Sequence, residues 1–147
     1  MKKLESDILK ILQEDCRVSA AEVAVMLGRE EAEVAAAIAE MERRGAIVKY
    51  TAILNSEAME DELVQALIEV RVSPQKSSGF DAIAEEIYRC EEVTSCYLMS
   101  GGFDLAVFIE GKSLREVARF VSERLSTLDD VLSTATHFIL KKYKIEG

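Results

Sequence analysis

No apolar run in this 147-residue chain approaches the ~20 residues needed to cross a bilayer, which excludes a membrane-spanning protein. The opening residues, Met1-Lys2-Lys3-Leu4-Glu5-Ser6-Asp7, meet acid at once and lack an apolar export core. Cysteine is scarce and odd in number. Cys16, Cys90 and Cys96 form neither a C-x-x-C pair nor a disulfide framework, so the expectation is a cytoplasmic protein with reduced thiols. With one histidine and those scattered cysteines, no metal-ligand spacing exists, and neither a metal nor a cofactor is expected. Basic charge is also short: 18 Lys and Arg against 27 Asp and Glu leave a net −9. A generic nucleic-acid binder usually shows a basic excess, so any DNA contact must rest on a local patch. Gly/Ser linkers, low-complexity tracts and internal repeats are missing too. What the chain does have is a 49% apolar share, ample for a buried core.

The first segment reads as three helices. Leu4, Ile8, Ile11 and Leu12 share one helical face, and Glu14 to Val18 break that pattern. Ser19 and Glu22 have the spacing of a capping box, ahead of Ala20, Val23, Ala24 and Leu27 at i, i+3, i+4 and i+7. Gly28 supplies a tight turn. A third helix runs from about Glu30 to Arg44, with Val34, Ile38 and Met41 inward and Gly45 suited to the left-handed position past its end. Two short helices around a glycine turn, with a supporting helix in front, make a helix-turn-helix layout. A three-helix packing unit without a DNA role would show the same periodicity.

Ile47 to Leu54 is rich in β-formers and reads as a linking strand, followed by the acidic connector Glu57 to Glu62. From Leu63 to Ser73 the chain alternates, with Val64, Ala66, Ile68, Val70 and Val72 on one side and Gln65, Glu69 and Arg71 on the other. Pro74 stops this strand. Phe80, Ile83, Ala84, Ile87 and Tyr88 give a helical stripe. Val93–Ser100 and Phe103–Glu110 read as strands joined by a Gly101-Gly102 hairpin turn. Ser113 and Glu116 open another helix, and Val131 to Leu140 is the last strand, ahead of Lys141-Lys142-Tyr143-Lys144. The order βαββαβ is ferredoxin-like. The fold class is therefore α+β, an N-terminal helix-turn-helix (winged-helix-like) domain plus a C-terminal ferredoxin-like domain. The boundaries are 1–46, a linking strand and hinge over 47–62, and 63–147. One sheet face lacks a helical cover in this arrangement while apolar residues recur on both sides of the strands, so a homodimer is expected.

Specific runs carry a family resemblance. They are Asp7-Ile8-Leu9, Leu12-Gln13, Asp15, Arg17, Ser19, Glu22-Val23-Ala24, Leu27-Gly28, Glu42 to Ile47, Tyr50 to Asn55, and Ser100-Gly101-Gly102-Phe103-Asp104. Together they resemble the leucine-responsive and asparagine-operon regulators, the Lrp/AsnC family, over essentially the whole chain. The resemblance implies a transcription regulator that dimerises through its second domain, assembles further toward an octamer, and binds an amino acid or related small molecule. It implies an effector site at Gly101, Gly102, Phe103 and Asp104, with Thr134, Thr136 and His137 on the last strand. An amino acid needs an anion for its ammonium and N–H donors for its carboxylate. Asp104 and the two glycines offer both. The plainer reading makes the glycines a hairpin turn and Asp104 its cap.

The third helix departs from the family pattern, which has a hydroxyl residue near its start and arginines along its exposed face. Here Arg29, Arg43 and Arg44 sit at the ends, against Glu30, Glu31, Glu33, Glu40 and Glu42. Residues 1–55 carry eight bases and ten acids, a net −2. Lys and Arg contacts to phosphate supply most non-specific affinity. A DNA interface over Arg17, Ser19, Arg29, Glu30, Glu33, Arg43, Arg44 and Lys49 is therefore expected to hold double-stranded DNA weakly and with strong salt dependence. The acidic helix favours an alternative, a ligand-sensing or partner-binding module of the same fold with weakened DNA binding. Some proteins of similar architecture are sirohaem decarboxylases, but no phosphate loop, nucleophile elbow or H-E-x-x-H helix occurs here, and the chain is not expected to be an enzyme.

Overall fold

The computed structural model describes residues 1–74 and 79–147. They divide into two compact units, Met1–Ile53 and Leu54–Gly147. The first unit holds α1 (Lys3–Glu14), α2 (Ala20–Leu27) and α3 (Glu31–Arg43). Ile8 and Leu12 of α1, Val23 and Ala24 of α2, and Val34 and Met41 of α3 form its core. The apolar spacing aims these side chains inward, and the ends are set by local chemistry. Ser19 Oγ accepts from the Glu22 N–H at 3.2 Å while the Ser19 N–H donates to Glu22 Oε2 at 2.8 Å, so two otherwise orphaned donors are satisfied reciprocally. Gly28 takes φ 64° and ψ 39°, a left-handed conformation that closes α2 and turns the chain into α3.

The strand expected over Ile47–Leu54 does not form: no helix or strand lies between α3 and a 3₁₀ turn at Ser56–Ala58. Strand character belongs to a pair of segments, and among the described residues this run has no ladder partner. Ile47 packs half-buried against the core of the first unit, while Val48, Tyr50, Ile53 and Leu54 stay exposed, Val48 at 88%.

The second unit runs β1 (Val64–Val72), α4 (Asp81–Tyr88), β2 (Val93–Leu98), β3 (Leu105–Gly111), α5 (Leu114–Phe120) and β4 (Val131–Phe138). The helix opened by Ser113 and Glu116 changes character after Phe120, where Val121–Leu125 form a π-helical turn closed by the Ser126 N–H on Val121 O at 2.8 Å. The sheet is antiparallel in the order β2-β3-β1-β4. Both helices cover the face bearing Ala66, Ile68, Val70, Leu105, Val107 and Ile109, against Ile83 and Ile87 of α4 and Val117 and Phe120 of α5. The alternation read along the strand holds from Ala66 to Val72, whereas Val64 and Gln65 are both half-buried.

Gly101-Gly102 do not make a two-residue turn. The ladder ends at the Leu98–Leu105 pair, and Met99–Asp104 form a loop closed by the Met99 N–H on Asp104 O at 2.8 Å. Neither glycine has the positive φ that a tight hairpin turn of type I′ demands at its centre.

Candidate nucleic-acid interface and ligand loop

The helix-turn-helix residues share one unit, but all four of its arginines face carboxylates. Arg17 reaches Asp15 through Nε and Nη2 at 2.9 and 3.1 Å. Arg29 bridges one turn ahead to Glu33. Arg43 bonds back to Glu40 at 2.8 and 2.6 Å. Arg44 holds Glu5 with two bonds of 3.0 and 2.7 Å. All four arginines of residues 1–53 are thus neutralised within the chain, whereas Lys2, Lys3, Lys10 and Lys49 form no ion pair among the described residues. Hydrogen bonds from the guanidinium groups hold the carboxyls of Glu5, Asp15, Glu33 and Glu40 below the usual carboxylate range and raise each arginine in turn.

These pairs differ in setting. Those of Arg17, Arg29 and Arg43 lie on the surface, where such bridges are weak and exchangeable. Glu5 is buried, and its pair with Arg44 ties the first turn of α1 to the end of α3 across 39 positions. Arg44 is therefore a brace between helices. Ser19 is spent on its capping box, and Glu30 caps α3 by position without a side-chain hydrogen bond. An exposed stripe of α3 carries Ala32, Ala36 and Ala39, flanked by the glutamates.

In the second unit, Gly101 and Gly102 are exposed with open space around them, and Phe103 and Asp104 are half-buried. Asp104 is firmly placed. Its Oδ2 accepts the Val72 N–H at 2.9 Å, its own N–H donates to Val70 O at 3.0 Å, and its carbonyl takes the Met99 N–H. The carboxylate thereby satisfies a donor left over where the β1–β4 register shifts at Arg71/Val72. The loop glycines and Asp104 are neighbours along one loop, whereas on the last strand Thr134 and Thr136 lie on the face opposite that of His137. Thr134 and Thr136 pair with Val70 and Ile68 on the helix-covered side, and Thr134 Oγ1 lies 3.4 Å from Ser126 Oγ. His137 pairs with Leu67 and points to the opposite face, where its Nε2 lies 2.9 Å from Glu69 Oε2.

That opposite face is a feature no single motif announces. Leu67, Glu69, Ala106 and Phe108 lie on it with Tyr97 and His137, and neither α4 nor α5 packs there. Tyr97 and Phe108 meet edge to face with centroids 5.8 Å apart, and Gln65 Nε2 bonds Glu110 Oε1 at 2.9 Å. The alternation of β1 and β3 is the signal that finds it.

Comparisons with known proteins agree along the chain. Residues 1–48 match the model of a winged helix-turn-helix DNA-binding domain, and residues 65–147 match that of the Lrp/AsnC ligand binding domain. The HTH-type transcriptional regulator YugG of Bacillus subtilis is 49% identical over 97% of this chain and 87% of its own length. Two solved structures share the fold. The leucine response regulatory protein of Mycobacterium tuberculosis aligns with a TM-score of 0.83 at 24% identity, covering 100% of this chain and 97% of that one. A Neisseria meningitidis transcriptional regulator solved as an L-Met complex aligns with a TM-score of 0.76 at 23% identity, covering 99% and 93%.

Proposed function

The chain belongs to the Lrp/AsnC family and is a DNA-binding transcriptional regulator of that type; from that premise we propose that it works as a homodimer, assembling further toward an octamer, and that an amino acid or related metabolite controls its hold on DNA. Residues 1–46 contact DNA, 47–62 link the two parts, and 63–147 bind the effector and a second copy. Arg17, Arg29, Arg43 and Lys49 reach phosphates around the bases faced by Glu30 and Glu33, with Ser19 and Arg44 holding the helices that carry them. Binding is weak per chain and salt-dependent, because three of those cations are shared with carboxylates. The open sheet face around Leu67, Tyr97 and Phe108 supports the second copy as its cover.

Asp104 carries the effector reading. It is a carboxylate with one oxygen engaged by Val72, set beside exposed glycine N–H groups, so an ammonium and a carboxylate can be met within one loop. The L-Met complex of the Neisseria regulator fits that chemistry. The protein acts in the cytoplasm without catalysing a reaction, and a sirohaem titration should leave the pigment's absorbance unchanged. Calorimetry against the twenty amino acids, repeated with Asp104→Asn, tests the site. Asparagine keeps an acceptor for the Val72 N–H but removes the charge, so binding should vanish while the melting temperature holds. Equal binding by the variant removes Asp104 from the site.

A further inference from the structure

The C-terminal run Lys141-Lys142-Tyr143-Lys144 concentrates three positive charges in four residues of a unit that is otherwise strongly acidic. The whole chain carries −9 and its first 53 residues −2, which leaves −7 for Leu54–Gly147. The run is held at both ends. The Ile139 N–H donates to Gln65 O at 2.9 Å, and half-buried Ile145 lines a cavity of about 30 Å³ with Leu63 and Ile139. Between those anchors all four side chains are exposed, Tyr143 at 89%, with the Lys141 ammonium 5.2 Å from the Tyr143 ring centroid. Glu57 and Glu62 border the same cavity, yet none of Lys141, Lys142 and Lys144 forms an ion pair among the described residues.

Contrast with the first unit gives this segment its meaning. Every arginine there already has a carboxylate, and a guanidinium so paired releases fewer counterions when it meets a phosphate. The tail presents three ammonium groups with no such competitor and an exposed phenol among them. We infer that Lys141, Lys142 and Lys144 form a second, sequence-independent contact to the phosphate backbone of duplex DNA already held by the helix-turn-helix units, an inference that rests on the DNA-binding reading above. Several copies in one assembly raise the effective concentration of DNA at the tail, so individually weak contacts add to retention.

Fluorescence anisotropy of the full chain tests this, with the duplex from upstream of its own gene and a scrambled duplex at about 50 and about 200 mM salt. Replacing all three lysines with glutamine should weaken both duplexes alike and reduce the slope of log affinity against log salt by about 0.9 for each lysine on a phosphate. The Lys→Arg triple variant should keep the slope. Lys112→Gln with Arg115→Gln, a loss of two exposed cations elsewhere on the unit, should leave it unchanged. Sedimentation should give the same mass for every variant. If the wild type binds and the glutamine variant matches its slope, the tail inference is wrong and the DNA-binding reading stands. A change of mass with the loss of binding overturns the inference in favour of an assembly contact to another copy. If the wild type holds no duplex at all, both fall together.

Discussion

Glu33→Gln combined with Glu40→Gln should strengthen DNA binding and steepen its salt dependence. Each glutamate sits on α3 and holds an arginine, Arg29 or Arg43, in a surface ion pair. Glutamine keeps the shape and an acceptor oxygen while removing the charge, so both guanidinium groups become available to phosphate. Where the carboxylates now share these two arginines with phosphate, their full release changes the slope of log affinity against log salt by up to about −1.8, which over a fourfold rise in salt is at most roughly a twelvefold larger loss of affinity than the wild type suffers. Removing two negative charges near DNA also relieves repulsion, so a control is needed. Glu31→Gln with Glu42→Gln removes the same charge from the same helix but frees no arginine, since neither residue has an ion-pair partner among the described residues. Anisotropy titrations of both double variants at several salt concentrations separate the two effects. Identical slopes in the two variants would refute the idea that internal pairing withholds the arginines from DNA.

Other outcomes follow from the same geometry. The Arg44 hydrogen bonds depress the Glu5 carboxyl below its ordinary value of 4.5. A depressed group lends stability above its unfolded value and loses it as pH falls through the folded one. The stability difference between wild type and Arg44→Gln, followed by thermal melts from neutral pH to about pH 3, should therefore shrink below the ordinary carboxylate value. Asp104→Ala leaves the N–H of buried Val72 without its acceptor and should destabilise the second unit by about 1–3 kcal/mol in urea titrations, whereas Asp104→Asn should not. Phe108→Glu puts a charge at the centre of the open sheet face and should yield monomers by sedimentation, with far-UV circular dichroism unchanged.

Elements whose signals are local were readable from sequence. The Ser19–Glu22 box, the turn at Gly28 and the alternation of β1 from Ala66 onward each depend on residues within a few positions of one another, and each stands in the structure as read. Features that depend on distant partners were not. Ile47–Leu54 has the composition of a strand, but nothing local tells whether a partner exists. Glu5 and Arg44 lie 39 positions apart, and no periodicity links them. The last strand is a different case. Thr136 and His137 are adjacent, so the two-residue period of a strand already sends them to opposite faces, and grouping both in one cleft overlooked that rule. The Arg29–Glu33 and Glu40–Arg43 spacings also announce helical ion pairs in advance. Counting those bases as free cations overstated the charge on offer.

The hydrogen bond from the Val72 amide to Asp104 makes the Met99–Asp104 loop a rung of the sheet. A cation that drew that carboxylate toward itself would loosen the last amide of β1 beside its bulge, and any occupancy of the loop would be written into strand fraying. Deuterium uptake at Val72 then acts as a built-in reporter, slow when the rung is closed and faster when a guest competes for Asp104.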